Sequence, residues 1–241
     1  MISYLYHTIV YYPLYNGLIF LFDAIPWIDA GIAVIIFTIF VRLILFPLSK
    51  KSIVTQVRMK EIEPELNKLK QTVTDKQKQA VMVMDLYKKK GVNPFSSFFL
   101  LFLQLPIIFA LYSIFVSSGL PSVDLNSLYS FVQVPTINML FLGIFDISKS
   151  SIFLSLCASL AQYLQLHYSL ASTTPTTKGT NEAINATQDM MKNMKYIFPV
   201  MIFFISYKVS AVVAVYWTVS SLFTLVQELV VRKHLKNHQP L

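Results

Sequence analysis

The chain has 241 residues, 55% of them hydrophobic and only 13% charged, with a formal charge of +8 and a mean hydropathy of +0.57. That balance excludes a soluble domain and describes a polytopic membrane protein. Cys157 is the single cysteine and the four histidines fall in no paired, HxxE or HExxH spacing, so no intrachain disulfide, metal centre or cofactor is expected.

In chain order, residues 1–28 are apolar, carry Tyr4, Tyr6, Tyr11, Tyr12 and Tyr15, and contain no Lys or Arg. Without a basic n-region or a small-residue cleavage site this is no signal peptide, and the tyrosines predict an interfacial helix on the outer face. The first span is expected over 29–49. Its apolar run, 30–48, is 19 residues long, and Arg42 is its only charge. A helix of that length rises roughly 28 Å at 1.5 Å per residue, enough to cross hydrocarbon. A guanidinium inside it costs about 2.5–3.5 kcal/mol on insertion scales unless it faces protein or water. Arg42 therefore marks a polar, water-accessible site, with snorkelling or a structural ion pair as the plainer reading.

Residues 50–92 hold eleven Lys/Arg against five Asp/Glu. Ile62, Leu66 and Leu69 recur at helical spacing, so this block is expected to be a helical hairpin with its first arm kinked at Pro64 and its second ended by Gly91. Spans two to five are expected at 93–117, 150–170, 194–208 and 209–231. An outer loop lies between at 118–149, a second loop at 171–193, and a basic tail follows at 232–241. The apolar run 137–147 in the outer loop is too short to cross. The fourth span has only 12 residues between Lys195 and Lys208, a mismatch that local thinning of the bilayer relieves.

Charge sets the orientation. With the amino terminus outside, the hairpin, the second loop and the tail share one side and with their flanks carry 17 of the 20 Lys/Arg, while the other side holds Lys149 and Lys208. By the positive-inside rule those segments are cytoplasmic, which accounts for the net charge without DNA. Lys50, Lys51, Lys88, Lys89 and Lys90 in the hairpin, with Arg232 and Lys233 in the tail, are candidates for contact with lipid head groups or a partner. Met82, Met84, Met190, Met191 and Met194 fall on the same side, where packing is their simplest role.

Four segments in this order carry a more specific signal: FTIFVRLILFPLSKKS from Phe37, LYKKKGVNPF from Leu86, LQLPIIFALYSIF from Leu103, and YWTVSSLFTLVQELVVRK from Tyr216. Together with the charged hairpin after the first span, they make the chain resemble the YidC family of membrane-protein insertases, which includes the chloroplast and mitochondrial oxidase-assembly relatives. The resemblance covers roughly residues 14–233. It implies an all-α fold in which five core helices enclose a hydrophilic groove, closed to the outside but open to cytoplasm and lipid. It places the groove arginine at Arg42, with Thr38 one turn before it, and puts Gln104, Gln165, Tyr216 and Trp217 at groove or groove-edge positions. Relatives often have Tyr where this chain has Trp217. Gln162 is added from its spacing to Gln165, and Ser220 as a further exchangeable hydroxyl. The plainer reading of the glutamines is interhelical hydrogen bonding, of the aromatics packing, and of Ser220 a bond to its own helix.

The implied activity is insertion and chaperoning of membrane proteins in a bacterial plasma membrane, by a monomer, with nascent clients, the Sec translocon, the ribosome and lipids as partners. The chain departs from long-form relatives in having no large outer-face domain, no lipoprotein-type cysteine near the amino terminus and no long basic tail. A transporter using Arg42 would need an inverted repeat, and none is seen; with the first span counted over its apolar run 30–48, Glu228 is the only acid in the spans. An intramembrane enzyme lacks a nucleophile–base pair, since Cys157 and His167 stand apart with no orienting acid.

Overall fold

A computed structural model of the chain describes residues 2–73, 75–93, 96–117, 120–171 and 182–238. Its helices are α1 (Ile2–Tyr6), α2 (Tyr12–Ala24), α3 (Ala30–Ile44), α4 (Phe46–Glu61), α5 (Glu63–Thr72), α6 (Lys76–Lys89), α7 (Ser96–Tyr112), α8 (Ile152–Ala171), α9 (Glu182–Val209) and α10 (Ala211–His238). Between α7 and α8 a two-stranded hairpin pairs β1 (Leu140–Phe141) with β2 (Phe145–Asp146), Phe141 opposite Phe145. The protein is mostly helical, as expected of an all-α membrane protein.

The chain divides into two compact units. The first comprises Met1–Leu45, Leu101–Gln162 and Pro199–Phe223. A π-helical turn, His7–Tyr11, joins α1 to α2, and the helix packs lengthwise on α3. Gly17 lies seven residues before the end of α2 and meets Phe37, seven residues after the start of α3, as antiparallel neighbours do. A Cβ at Gly17 would sit 2.9 Å from the Phe37 ring. The buried face of α2 is Tyr15, Leu18, Ile19 and Phe22, an i, i+3, i+4, i+7 stripe that ordinary helix periodicity produces. Tyrosine thus serves packing here, and Tyr15 also accepts a hydrogen bond from Asp124 N at 2.7 Å.

The loop between α7 and α8, expected on the outer face, is a built structure in its described residues. Asn16 on α2 donates to the Ser127 carbonyl at 2.8 Å and accepts from Tyr129 N at 2.6 Å. Asp29 caps α3 by accepting from Ile32 N at 2.8 Å, while its other oxygen accepts from Leu142 N at 3.0 Å. Gly143 turns the β-hairpin with φ +69°, a left-handed conformation that suits glycine. The Ser148 hydroxyl and the Lys149 ammonium, 3.0 Å away, hold the Asp146 carboxyl below its ordinary range. Beyond the hairpin, the Ile147 and Lys149 carbonyls accept from Val212 N and Ala211 N at 3.1 and 2.8 Å, which satisfies the first donors of α10.

The second unit comprises Phe46–Leu100, Tyr163–Phe198 and Thr224–Leu241. The expected kink at Pro64 is realised two residues earlier, as a break at Ile62. Pro64 then sits in the first turn of α5, where its missing N–H is no loss. Asp75 caps α6 through Gln77 N and Lys78 N. At the other end of α6, Gly91, with φ +63°, stops the helix after Lys88 and Lys89. Ile62, Leu66 and Val83 are buried between α5 and α6, and a Lys90–Glu65 pair at 2.5 Å closes the hairpin.

Two expected spans differ in extent. The first is interrupted at Leu45, because Pro47 has no N–H to continue the ladder. The fourth is the end of the 28-residue helix α9. By length and hydropathy, Ala211–Leu235 is apolar enough to cross a membrane on its own. Ala30–Ile44 with Phe46–Glu61 passes as a broken pair, and no other helix passes among the described residues.

Candidate functional site

Helices α3, α7 and α10 each contribute to a polar cluster in the first unit. Arg42 is half-buried in the last turn of α3, and its Nη2 donates to Gln104 Oε1 at 2.6 Å and to the Ser220 hydroxyl. Gln104 turns its carbonyl to the arginine and its amide nitrogen to the Tyr216 hydroxyl, 2.7 Å away. Tyr216 is also within hydrogen-bonding reach of Ser220 and Arg42. Tyr216 and Ser220 are both buried, four residues apart on one face of α10. So Arg42, Gln104, Tyr216 and Ser220, singled out in three separate stretches of sequence, meet at one place. The plainer reading of Ser220 as a self-bonded helix serine does not describe its bond to Arg42.

The electrostatics of this cluster are unusual in one respect. Every group that Arg42 touches is neutral, and among the described residues no carboxylate lies within ion-pairing distance of it. The cation is oriented without being neutralised. A charged side chain in a low-dielectric setting is normally paired or hydrated.

Thr38 lies one turn from Arg42 but is buried, and its hydroxyl donates to the Val34 carbonyl at 2.6 Å. No hydrogen bond joins it to Arg42. Gln162 belongs to a second, separate network. Its Oε1 accepts from Trp217 Nε1 and from the Ser221 hydroxyl, both at 2.9 Å and all buried, and so fastens α8 to α10. The interhelical reading therefore describes Gln162, and the packing reading describes Trp217. Gln165 falls in the second unit, half-exposed on α8. Replacing Gln162 by Leu removes the acceptor of both bonds, and a buried donor left unpaired costs about 1–3 kcal/mol. A lower thermal midpoint in detergent is expected, and an unchanged midpoint would mean that these bonds do not fasten α8 to α10.

The second unit holds polar residues that sequence inspection passed over. Gln227 on α10 donates to the Phe46 carbonyl at 3.4 Å and to the Ser49 hydroxyl, covering a carbonyl near the Pro47 break. Ser49, Ser52 and Gln56 are all buried on α4, and their i, i+3, i+7 spacing was the available signal. Arg232, grouped with the tail lysines by charge alone, is bound to the buried Glu228 at 2.8 Å and lies over the Tyr168 ring at 5.9 Å. Lys50, Lys51, Lys88, Lys89 and Lys233 are exposed, and so is Lys90 in its pair with Glu65. Met82 and Met84 are exposed and Met194 is half-exposed; the side chains of Met190 and Met191 lie outside the described residues. Among the described residues no group of three or more His, Cys, Asp or Glu is placed to hold a metal ion.

Comparison with known proteins identifies the family. Residues 21–238 match the family described as the 60Kd inner membrane protein. A membrane protein insertase YidC of Fusobacterium nucleatum is 32% identical over 211 residues, which are 84% of this chain and 86% of the relative. One from Clostridium tetani is 31% identical over 88% of this chain and 86% of its own length. The membrane protein insertase YidC 1 of Streptococcus pyogenes is 31% identical over 92% of this chain and 75% of its own length. The cation held among neutral partners thus sits in a chain that belongs to the 60Kd inner membrane protein family, alongside the YidC insertases.

Proposed function

We propose that this chain is a membrane protein insertase that uses the Arg42 cluster to draw a short polar segment of a client into the bilayer. The observation that carries the reading is the guanidinium held by Gln104 and Ser220 with no carboxylate partner among the described residues. A client segment entering hydrocarbon loses water from every polar group, at several kcal/mol for each unsatisfied one. A cluster of an amide, a phenol, a hydroxyl and a cation offers replacement bonds. A guanidinium has five N–H donors, and the bonds to Gln104 and Ser220 both use Nη2, so donors on Nε and Nη1 remain for a carboxylate.

In this proposal α3, α7, α8, α9 and α10 are the five membrane helices around a hydrophilic groove, with α1 and α2 accompanying α3. The charge asymmetry supports a cytoplasmic hairpin and tail in a bacterial plasma membrane. The exposed lysines of α4 and α6 suit contact with lipid head groups, the Sec translocon or the ribosome. The chain acts as a monomer, and the client's own apolar helix provides the driving force by partitioning into lipid.

The test is reconstitution of the purified protein in liposomes, with a single-spanning client whose short amino-terminal tail is acidic. Protease protection of the tail should exceed that in protein-free liposomes. Equal protection in both would refute insertion by the protein acting unaided.

A further inference from the structure

The apolar run 137–147, too short to cross a membrane, folds into the β1–β2 hairpin and leaves large side chains uncovered. Leu142 is 60% exposed and Ile144 is 72% exposed, either side of Gly143. Trp27, two residues before the Asp29 that binds Leu142 N, is 84% exposed. In water such a tip would be an aggregation liability.

Two observations say what covers it. Phe145 stacks on Phe153 of α8 with ring centroids 5.7 Å apart and planes 3° from parallel. Phe153 begins the outward face of α8, continued by the exposed Leu156 and Leu160, while Leu154, Ala158 and Ala161 are buried on the opposite face. The hairpin tip therefore extends an apolar helix surface that, on the reading of α8 as a membrane helix, faces lipid. The hairpin is also fastened to the outer ends of α3 and α10. Ala30 N donates to the Asn138 carbonyl at 2.8 Å, and the Ser210 hydroxyl to the Ile147 carbonyl at 2.7 Å.

From these we infer that the β1–β2 hairpin is an anchor inserted into the outer leaflet, with lipid acyl chains around Leu142 and Ile144 and Trp27 at the head-group level. Its consequence is mechanical. Arg42 lies twelve residues along α3 from Ala30, about 18 Å, and Ser220 nine residues along α10 from Ala211, about 14 Å. A hairpin seated at the outer interface fixes both helices at their ends and so sets the depth of the polar cluster. The inference rests on the proposed membrane helices, and its test separates the two.

Single cysteines at Ile144, Lys149 and Phe40 in a Cys157→Ser protein are labelled with a nitroxide in proteoliposomes. Collision with oxygen, which favours lipid, is compared with collision with a water-soluble nickel chelate. The expected result is an oxygen-to-nickel ratio several-fold higher at Ile144 than at Lys149, and high at Phe40 on the exposed face of α3. A low ratio at Ile144 with a high one at Phe40 overturns the anchor and leaves the membrane reading standing. A low ratio at both overturns the membrane reading, and the anchor with it. Should a labelled variant misfold, the emission of Trp27 serves instead, taken as the difference between the native protein and Trp27→Phe. Quenching by brominated lipid upholds the anchor, and quenching by aqueous iodide alone overturns it.

Discussion

Replacing Arg42 by alanine is expected to reduce insertion of clients with acidic tails by about ten- to a hundredfold, while clients with neutral tails lose far less. A hydrogen bond to a charged group contributes about 1.5–3 kcal/mol, and each 1.4 kcal/mol is a factor of ten. Only an acidic tail draws on that term, because the cluster's other members are neutral and remain in Arg42→Ala. The variant also removes the partner of Gln104 Oε1 and Ser220, a disturbance common to every client, so the ratio between client classes is the informative quantity. Arg42→Lys should fall between the two, since an ammonium keeps the charge but has three donors on one nitrogen in place of five spread over three. Protease protection of matched acidic and neutral tails in proteoliposomes measures this ratio. Equal losses for both would mean that charge attraction plays no part and that Arg42 serves only to organise Gln104, Tyr216 and Ser220.

The second large effect concerns stability. Gly31, in the first turn of α3, lies beneath Phe141 of β1, and an added Cβ would fall 2.1 Å from Cδ2 and 2.4 Å from Cγ of that ring. Atoms do not approach so closely, so Gly31→Ala must displace the ring, the strand or the helix. Overpacking of this kind costs about 1–3 kcal/mol. Phe141 is buried and the segment just after its β-hairpin is tied to α10 through the Ile147 and Lys149 carbonyls, so the strain should reach beyond the local contact. In a Phe141→Gly background the ring and its Cβ, which lies 2.8 Å from the added carbon, are both gone, and Gly31→Ala should become neutral or slightly stabilising through its better helix propensity of about 0.5–1 kcal/mol. Thermal unfolding of the four proteins in detergent tests the coupling. If Gly31→Ala is as harmful without the ring as with it, close packing is not the cause.

Much of the site was legible in the sequence. Arg42 stands out as the one charge in a 19-residue apolar run, and the energetic penalty of such a group is independent of the fold. Gln104 and Tyr216 came with the family resemblance and Ser220 as a further hydroxyl, and the structure brings the three together at Arg42. What stayed hidden was the division of labour. Tyr216 and Trp217 are adjacent in the chain, yet one meets Gln104 and the other Gln162, because successive helix residues point about 100° apart. Spacing also paired Gln162 with Gln165, although a shared helix face says nothing about what that face meets. The links from Asp29 to Leu142 and from Asn16 to Ser127 join residues more than a hundred positions apart, and no local pattern announces them. Arg232 was the opposite case: Glu228 stands at i−4, and counting charges obscured a pair that helix geometry makes plain.

The Tyr216–Trp217 dipeptide has one more consequence. The buried indole, clasped by Gln162 on α8, acts as a keel that fixes the azimuth of α10 about its long axis. Any roll of that helix to track an arriving carboxylate would tear the indole from its acceptor. Accommodation must therefore come from the long, jointed side chains of Arg42 and Gln104, working against a Tyr216–Ser220 wall that does not turn.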